Sequence, residues 1–163
     1  ELSTGALKAI GTLGLAAYAA AGGGATGAGY VADIALLTLA AHVGNLLDTR
    51  PGRTEKALAL TASVCCAASS SLAPVEPIAP LIVPVVLGAW FTLHERAMLG
   101  DSGASVIGGM AGIVLVTTMS QPVAAIALAG LIAISLYGEF RSISSAIERI
   151  PLLDRLDSLG RAN

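Results

Sequence analysis

Apolar residues come in six long runs, at about 6–23, 29–47, 57–73, 77–94, 103–119 and 122–138, divided by short polar or glycine-rich breaks. A hydrocarbon core of about 30 Å takes roughly 17 to 25 apolar residues of helix, so each run has the length of a membrane span. The pattern predicts an all-α, polytopic membrane helical bundle of about six transmembrane helices over 1–138. After residue 138 the pattern changes. Ile143, Ala146, Ile147 and Ile150, and then Leu152, Leu153, Leu156 and Leu159 after Pro151, recur at helical spacing among Arg141, Arg149, Arg155 and Arg161. This predicts a C-terminal amphipathic helix over 139–163 that lies on the membrane surface without crossing it. Ser145-Ala146-Ile147-Glu148 fits a capping box within it.

Composition agrees with the pattern. A chain 55% hydrophobic and 12% charged, with mean hydropathy +0.78, has too little polar surface to cover a water-soluble globule. The first run has no charged leader region or cleavage site and is followed by further runs, so it reads as a span and not as a signal peptide. All nine basic residues are Lys8, Arg50, Arg53, Lys56, Arg96, Arg141, Arg149, Arg155 and Arg161, and the breaks at 22–29, 69–77 and 119–122 carry none. With six spans every basic residue falls on one side. The positive-inside rule makes that side cytoplasmic and the protein a multi-pass one of the cell membrane. Nothing in the charge distribution points to nucleic acid.

Two polar knots interrupt the apolar background on that side, within the loops 45–56 and 95–104. In the first, Asn45 and Asp48 lie three apart at a helix end and can share a face. Hard oxygen ligands so placed suit Mg²⁺ with bound phosphates. Arg50 and Arg53 flank the helix-breaking Pro51-Gly52, and two guanidiniums on a tight turn can grip phosphate oxygens. An ordinary basic loop behind a capping Asp fits the same spacing. In the second knot Asp101 stands between Gly100 and Ser102-Gly103, open to a ligand but equally placed to cap the fifth run.

Other features read as packing. Gly108 and Gly112 make a small-residue seam in the fifth run, and Gly11, Gly14, Ala17 and Ala21 can do so in the first. Cys65-Cys66 point apart on a helix and read as small buried side chains. Pro80 and Pro84 suggest a kinked fourth helix. The glycines between 22 and 29 have no Lys-Ser/Thr after them and form a turn, not a phosphate loop. His42 and His94 lack ligand-like spacing.

Asn45-Leu46-Leu47-Asp48-Thr49-Arg50-Pro51-Gly52-Arg53-Thr54-Glu55-Lys56 and Met98-Leu99-Gly100-Asp101-Ser102-Gly103-Ala104 together resemble the polyprenyl-phosphate sugar-1-phosphate transferases. That family holds the phospho-N-acetylmuramoyl-pentapeptide and GlcNAc-1-phosphate transferases. The opening residues 3–8 and the closing residues 147–161 resemble a bacterial branch with the Arg-Pro-Gly-Arg motif. The resemblance implies Mg²⁺-dependent transfer of a sugar phosphate from a UDP-sugar to a membrane polyprenyl phosphate, with UMP leaving. It matches Asp101 to the family's Mg²⁺-ligand aspartate, and Asn45 and Asp48 to its Asn-x-x-Asp pair. Asp48 and Asp101 are then the catalytic candidates. Physical inference adds Arg50, Arg53 and Lys56 as contacts to the diphosphate or the lipid phosphate.

Two departures shape the expectation. The family has about ten spans and an upstream Asp-Asp motif absent from these residues, which reads as a C-terminal portion inactive alone. Residues 139–163 contain no His, which argues against the muramoyl-pentapeptide substrate. The rival is an inactive relic or partner subunit with a scaffold or transport role, but Asp33 and His42 are the main ionisable residues inside the spans, few for a pump. Uncovered apolar faces would be met by acyl chains or by a second copy, as a homodimer.

Overall fold

The computed structural model describes residues 3–159; Arg161, one of the tail's basic residues, lies outside the described residues. The order is α1 (Thr4–Gly22), α2 (Ala28–Leu47), α3 (Arg53–Ser69), a 3-10 segment (Ala73–Ile78) running straight into α4 (Ala79–Leu93), α5 (Gly100–Thr118), α6 (Gln121–Phe140), α7 (Ile143–Arg149) and α8 (Pro151–Ser158). There is no strand among the described residues, so the all-α expectation holds.

Among the described residues four stretches are long and apolar enough to cross a membrane: Ala28–Leu47, Ala73–Leu93, Gly100–Thr118 and Gln121–Phe140. The bundle is all-α, with four helices long and apolar enough to span where the pattern of runs predicted about six. The other two runs form helices too, but α3 has 17 residues and opens on Arg53, Glu55 and Lys56, while α1 is rich in Gly and Ala and carries Lys8. α4 and α6 leave most of their side chains outside the bundle, including Val83, Val86, Leu87, Trp90 and Ile126. An apolar surface of that extent is at home in lipid.

α5 is the axis. On one side α2 crosses it at van der Waals contact through glycine. A Cβ on Gly108 would sit 2.4 Å from the Ala40 carbonyl oxygen, and one on Gly44 would sit 2.6 Å from that of Ala104. The small-residue seam at Gly108 and Gly112 therefore faces α2. On its other side α5 packs Ile107, Met110 and Val114 against Leu58 and Cys65 of α3 and Ile78 of the 3-10 segment. α1 joins through Ala16 and Ala20 against Leu37, with the Tyr30 hydroxyl donating to the Ala17 carbonyl at 3.0 Å. Added methyls on Gly11 or Gly14 would meet nothing within 4 Å, so the second seam read from the sequence is not a close helix contact.

Three local expectations are corrected. Asp101 is not a cap: α5 begins at Gly100, whose φ of +66° makes the turn, and Asp101 lies inside the first helical turn. The tail is two short helices and not one, because Ile150 before Pro151 is extended (φ −106°, ψ 106°), as a residue preceding proline prefers. The side chain that caps α7 is Ser142, accepting from the Ser145 N–H at 3.4 Å, so the capping box at Ser145 is not formed.

Candidate functional site at one end of the bundle

The first knot is only partly a loop. α2 ends at Leu47 with Asp48 as its C-cap, and Gly52 turns the chain with φ +83° directly into α3, so Arg53, Thr54, Glu55 and Lys56 form the first helical turn. A side chain at Gly52 would be strained by that φ and would also meet Leu93 at 2.7 Å. The turn is pinned from inside. Thr54 Oγ1 donates to the Gly44 carbonyl at 3.0 Å, and buried Glu55 accepts from Thr92 Oγ1 at 2.5 Å. α2, α3 and α4 are thus joined by buried polar contacts.

The six candidate residues fall into two adjoining groups. Asn45, Asp48 and Asp101 make the first, at the facing ends of α2 and α5. The Asn45 amide lies between Lys8 and Asp101. Its oxygen is 3.3 Å from Lys8 Nζ in one orientation of the amide, and in the other its nitrogen donates to the backbone carbonyl and Oδ1 of Asp101, both at 3.3 Å. Lys8 also pairs with Asp101 Oδ2 at 3.3 Å. Asp48 Oδ1 is buried and without a hydrogen-bond partner. Burial pushes the Asp48 carboxyl above its ordinary 3.8, Glu55 adds to this, the Gly100 N–H hydrogen bond opposes it, and Asp101 adds a smaller push. A cavity of about 320 Å³, lined by Lys8, Thr12, Thr38, His42, Asn45 and Ser105 among others, opens alongside.

Arg50, Arg53 and Lys56 form the second group, which is engaged by the tail. Arg53 is buried and grips Asp157 with Nε to Oδ1 at 2.7 Å and Nη2 to Oδ2 at 2.9 Å. Its Nη1 donates to Thr49 Oγ1 at 2.9 Å and Ser144 Oγ at 2.8 Å. Arg50 pairs with Glu148 and lies 3.7 Å from Asp157 Oδ2, and Lys56 donates to the Asp157 backbone carbonyl. Lys8, Glu55, Thr92, Glu148 and Asp157 were not among the site residues expected from the sequence. Lys8 alone had a signal, as the one charge in the first run. His94 is occupied locally, its Nδ1 2.6 Å from the Trp90 carbonyl.

Among the described residues no three His, Cys, Asp or Glu side chains gather into a metal-binding set. The first group offers two carboxylates and an amide, one carboxylate oxygen being buried and unpartnered. That fits Mg²⁺, which takes one or two carboxylates and completes its shell with phosphate oxygens and water. Comparison with protein-family models, curated proteins and solved structures finds no match to this chain.

The raised Asp48 value has a sign that can be tested. A carboxyl with a higher pKa in the folded state holds more protons there than when unfolded, so its ionisation weakens the fold as pH rises through the folded value. Asp48→Asn should therefore raise the thermal midpoint at neutral pH without divalent cations and flatten the fall of stability as pH rises above the ordinary carboxylate value. A midpoint that falls with the substitution would show that the carboxylate is needed for folding.

Proposed function

We propose that this chain carries the nucleotide-sugar side of a membrane sugar-1-phosphate transferase, passing a sugar phosphate from a UDP-sugar to a polyprenyl phosphate at the cytoplasmic face of the cell membrane. One observation carries the reading: Asn45, Asp48 and Asp101, from two separate motifs of the resemblance, meet at one end of a membrane helix bundle around an unpartnered carboxylate oxygen. In the reaction an oxygen of the lipid phosphate attacks the sugar-linked phosphorus, the bond to the UMP phosphate oxygen breaks, and UMP leaves with that bond's electron pair. Such transfers ask chiefly for positioning and charge neutralisation.

Asp48 and Asp101 would hold Mg²⁺, with Asn45 orienting Asp101. The ion, when bound, neutralises charge on the diphosphate oxygens. Lys8, paired with Asp101, supplies a second positive charge to an incoming diphosphate. Arg50, Arg53 and Lys56 stand behind this group as the cationic wall.

Asp101→Asn in the full-length protein in its native membrane should cut UMP release from a radiolabelled UDP-sugar about a thousandfold, since a metal ligand supplies several kcal/mol to such a transition state. The thermal midpoint without Mg²⁺ should move little, because Asp101 is exposed and leaves no cavity. Full UMP release by the mutant would refute the assignment. A second reading, an inactive relic or partner subunit, is favoured by the internal pairing of Lys8, Arg50 and Arg53. It expects no Mg²⁺-dependent uptake of UDP by the wild-type chain.

A further inference from the structure

Three features of the tail set it apart from an ordinary docked helix. One acid points in while two leucines point out: Asp157 is 5% exposed, whereas Leu152 and Leu159 are 68% and 61% exposed. α7 buries no residue at all. The polar contacts that tie the tail to the bundle run from Glu148, Asp157 and Ser144 to Arg50, Arg53, Lys56 and Thr49. The buried tie between this segment and the bundle is a charge pair, and charge is what another anion competes with.

The donors on the bundle side are arranged for such a competitor. Arg53 gives two parallel N–H bonds to one carboxylate, Arg50 approaches the same oxygen, and Lys56 and the Thr49 hydroxyl flank it. This fork accepts a phosphate as readily as a carboxylate. A phosphate monoester brings three acceptor oxygens and a charge of about −1.5 to −2 where Asp157 brings two oxygens and one charge. A groove of about 460 Å³, lined by Leu60, Leu93, Leu153 and Leu156, opens beside Arg53 and Asp157 and leads a headgroup in from the apolar side.

We propose that Arg50, Arg53, Lys56 and Thr49 form a phosphate-binding site in which Glu148 and Asp157 of the chain's own tail are the resident ligands, displaced when a phosphate group arrives. The proposal deepens the transferase reading by giving its cationic wall a gate, and it rests on that reading only for what carries the phosphate. The exchange is non-covalent: one anion leaves the guanidiniums as another takes its place, and α7 and α8 move with the first.

The test uses the full chain in nanodiscs of neutral lipid and radiolabelled inorganic phosphate, with chloride matching ionic strength. Asp157→Asn removes the competing charge and should bind phosphate about tenfold or more tighter than wild type, a change of one decade in Kd. Arg53→Ala added to it should abolish binding. Should Asp157→Asn fail to fold, a staple keeps the question open to experiment. Thr49 Oγ1 and Ser144 Oγ are 3.2 Å apart, so Thr49→Cys with Ser144→Cys, in a Cys65→Ala, Cys66→Ala background, can fix the tail in place. Oxidised, that protein should take up no phosphate, and reduction of the same sample should restore uptake. Phosphatidic acid in the nanodisc displaces the label if the phosphate comes on a lipid, and soluble UDP displaces it if it comes on a nucleotide. Equal phosphate affinity in wild type, Asp157→Asn and the oxidised staple would overturn the proposal and leave the tail a fixed strut. UMP release plays no part in these measurements, so they can fail while the transferase reading stands, or the reverse.

Discussion

Gly108→Val should separate α2 from α5 and cost the bundle about 3 kcal/mol or more, at or above the upper end of overpacking. The added Cβ would lie 2.4 Å from a backbone carbonyl oxygen and 3.0 Å from the Ala41 and Gly44 Cα atoms. These are main-chain atoms, which no rotamer change can move aside. The whole helix must shift, and it is the helix whose end carries Asn45 and Asp48, one turn beyond Gly44. The substitution should therefore also remove the Asn45–Asp101 contact, so that the Mg²⁺-dependent binding of UDP proposed above is lost even in protein that stays folded. Gly109→Ala, one residue along and facing open space, is the control and should change neither. A Gly108→Val protein with the wild-type unfolding midpoint in detergent would mean that the crossing is looser than described.

The second large effect is on the tail. Arg53→Ala removes the guanidinium that grips Asp157 and leaves a buried carboxylate without its main partner. Breaking a buried pair in this way costs about 3–5 kcal/mol where the structure stays put. Here α7 and α8 can escape the cost by lifting into solvent, taking Asp157 with them, so the loss should appear as opening and not as global unfolding. Trypsin reads that directly, since Arg149 and Arg155 lie on the tail and cleavage follows the population of the open state. Cutting at these sites should be roughly a hundredfold faster or more, with the bundle's own unfolding nearly unchanged. Arg53→Lys should fall between, keeping the charge but losing the parallel pair of bonds. Unaltered cutting in Arg53→Ala would mean that the tail is held by something other than this pair.

What the sequence made legible was whatever leaves a local period. Helices follow the apolar runs closely, and the Gly108–Gly112 seam was visible because small residues four apart mark one helix face. The positions of Asn45 and Asp101 were visible as polar knots, though not which of their neighbours turn toward them. The docking of Asp157 on Arg53 was not legible, since the two are 104 residues apart and neither stands at a spacing that betrays the other. The tail's leucine periodicity predicted an amphipathic surface helix, but periodicity does not say that Asp157 turns into the bundle. Arg53 and Glu55 looked like loop residues because Pro51-Gly52 looked like a break. Gly52 in the left-handed region instead turns the chain straight into α3, starting the helix earlier than the apolar pattern does.

That early start fixes how deep the knot sits. α3 has 17 residues, roughly 26 Å of helix, and its first turn is polar, so its apolar length falls well short of a hydrocarbon core of about 30 Å. It packs along α5, which is long enough to span, and the difference is a hydrophobic mismatch confined to one end of one helix. With α3 in a bilayer beside α5, lipid there would thin locally or let headgroups dip toward Arg50 and Lys56. A phosphate on a long-chain alcohol would then reach these cations by lateral diffusion, with its chain still in the bilayer. Thicker membranes should slow that approach, so lipid chain length becomes a control on the protein that no residue change is needed to operate.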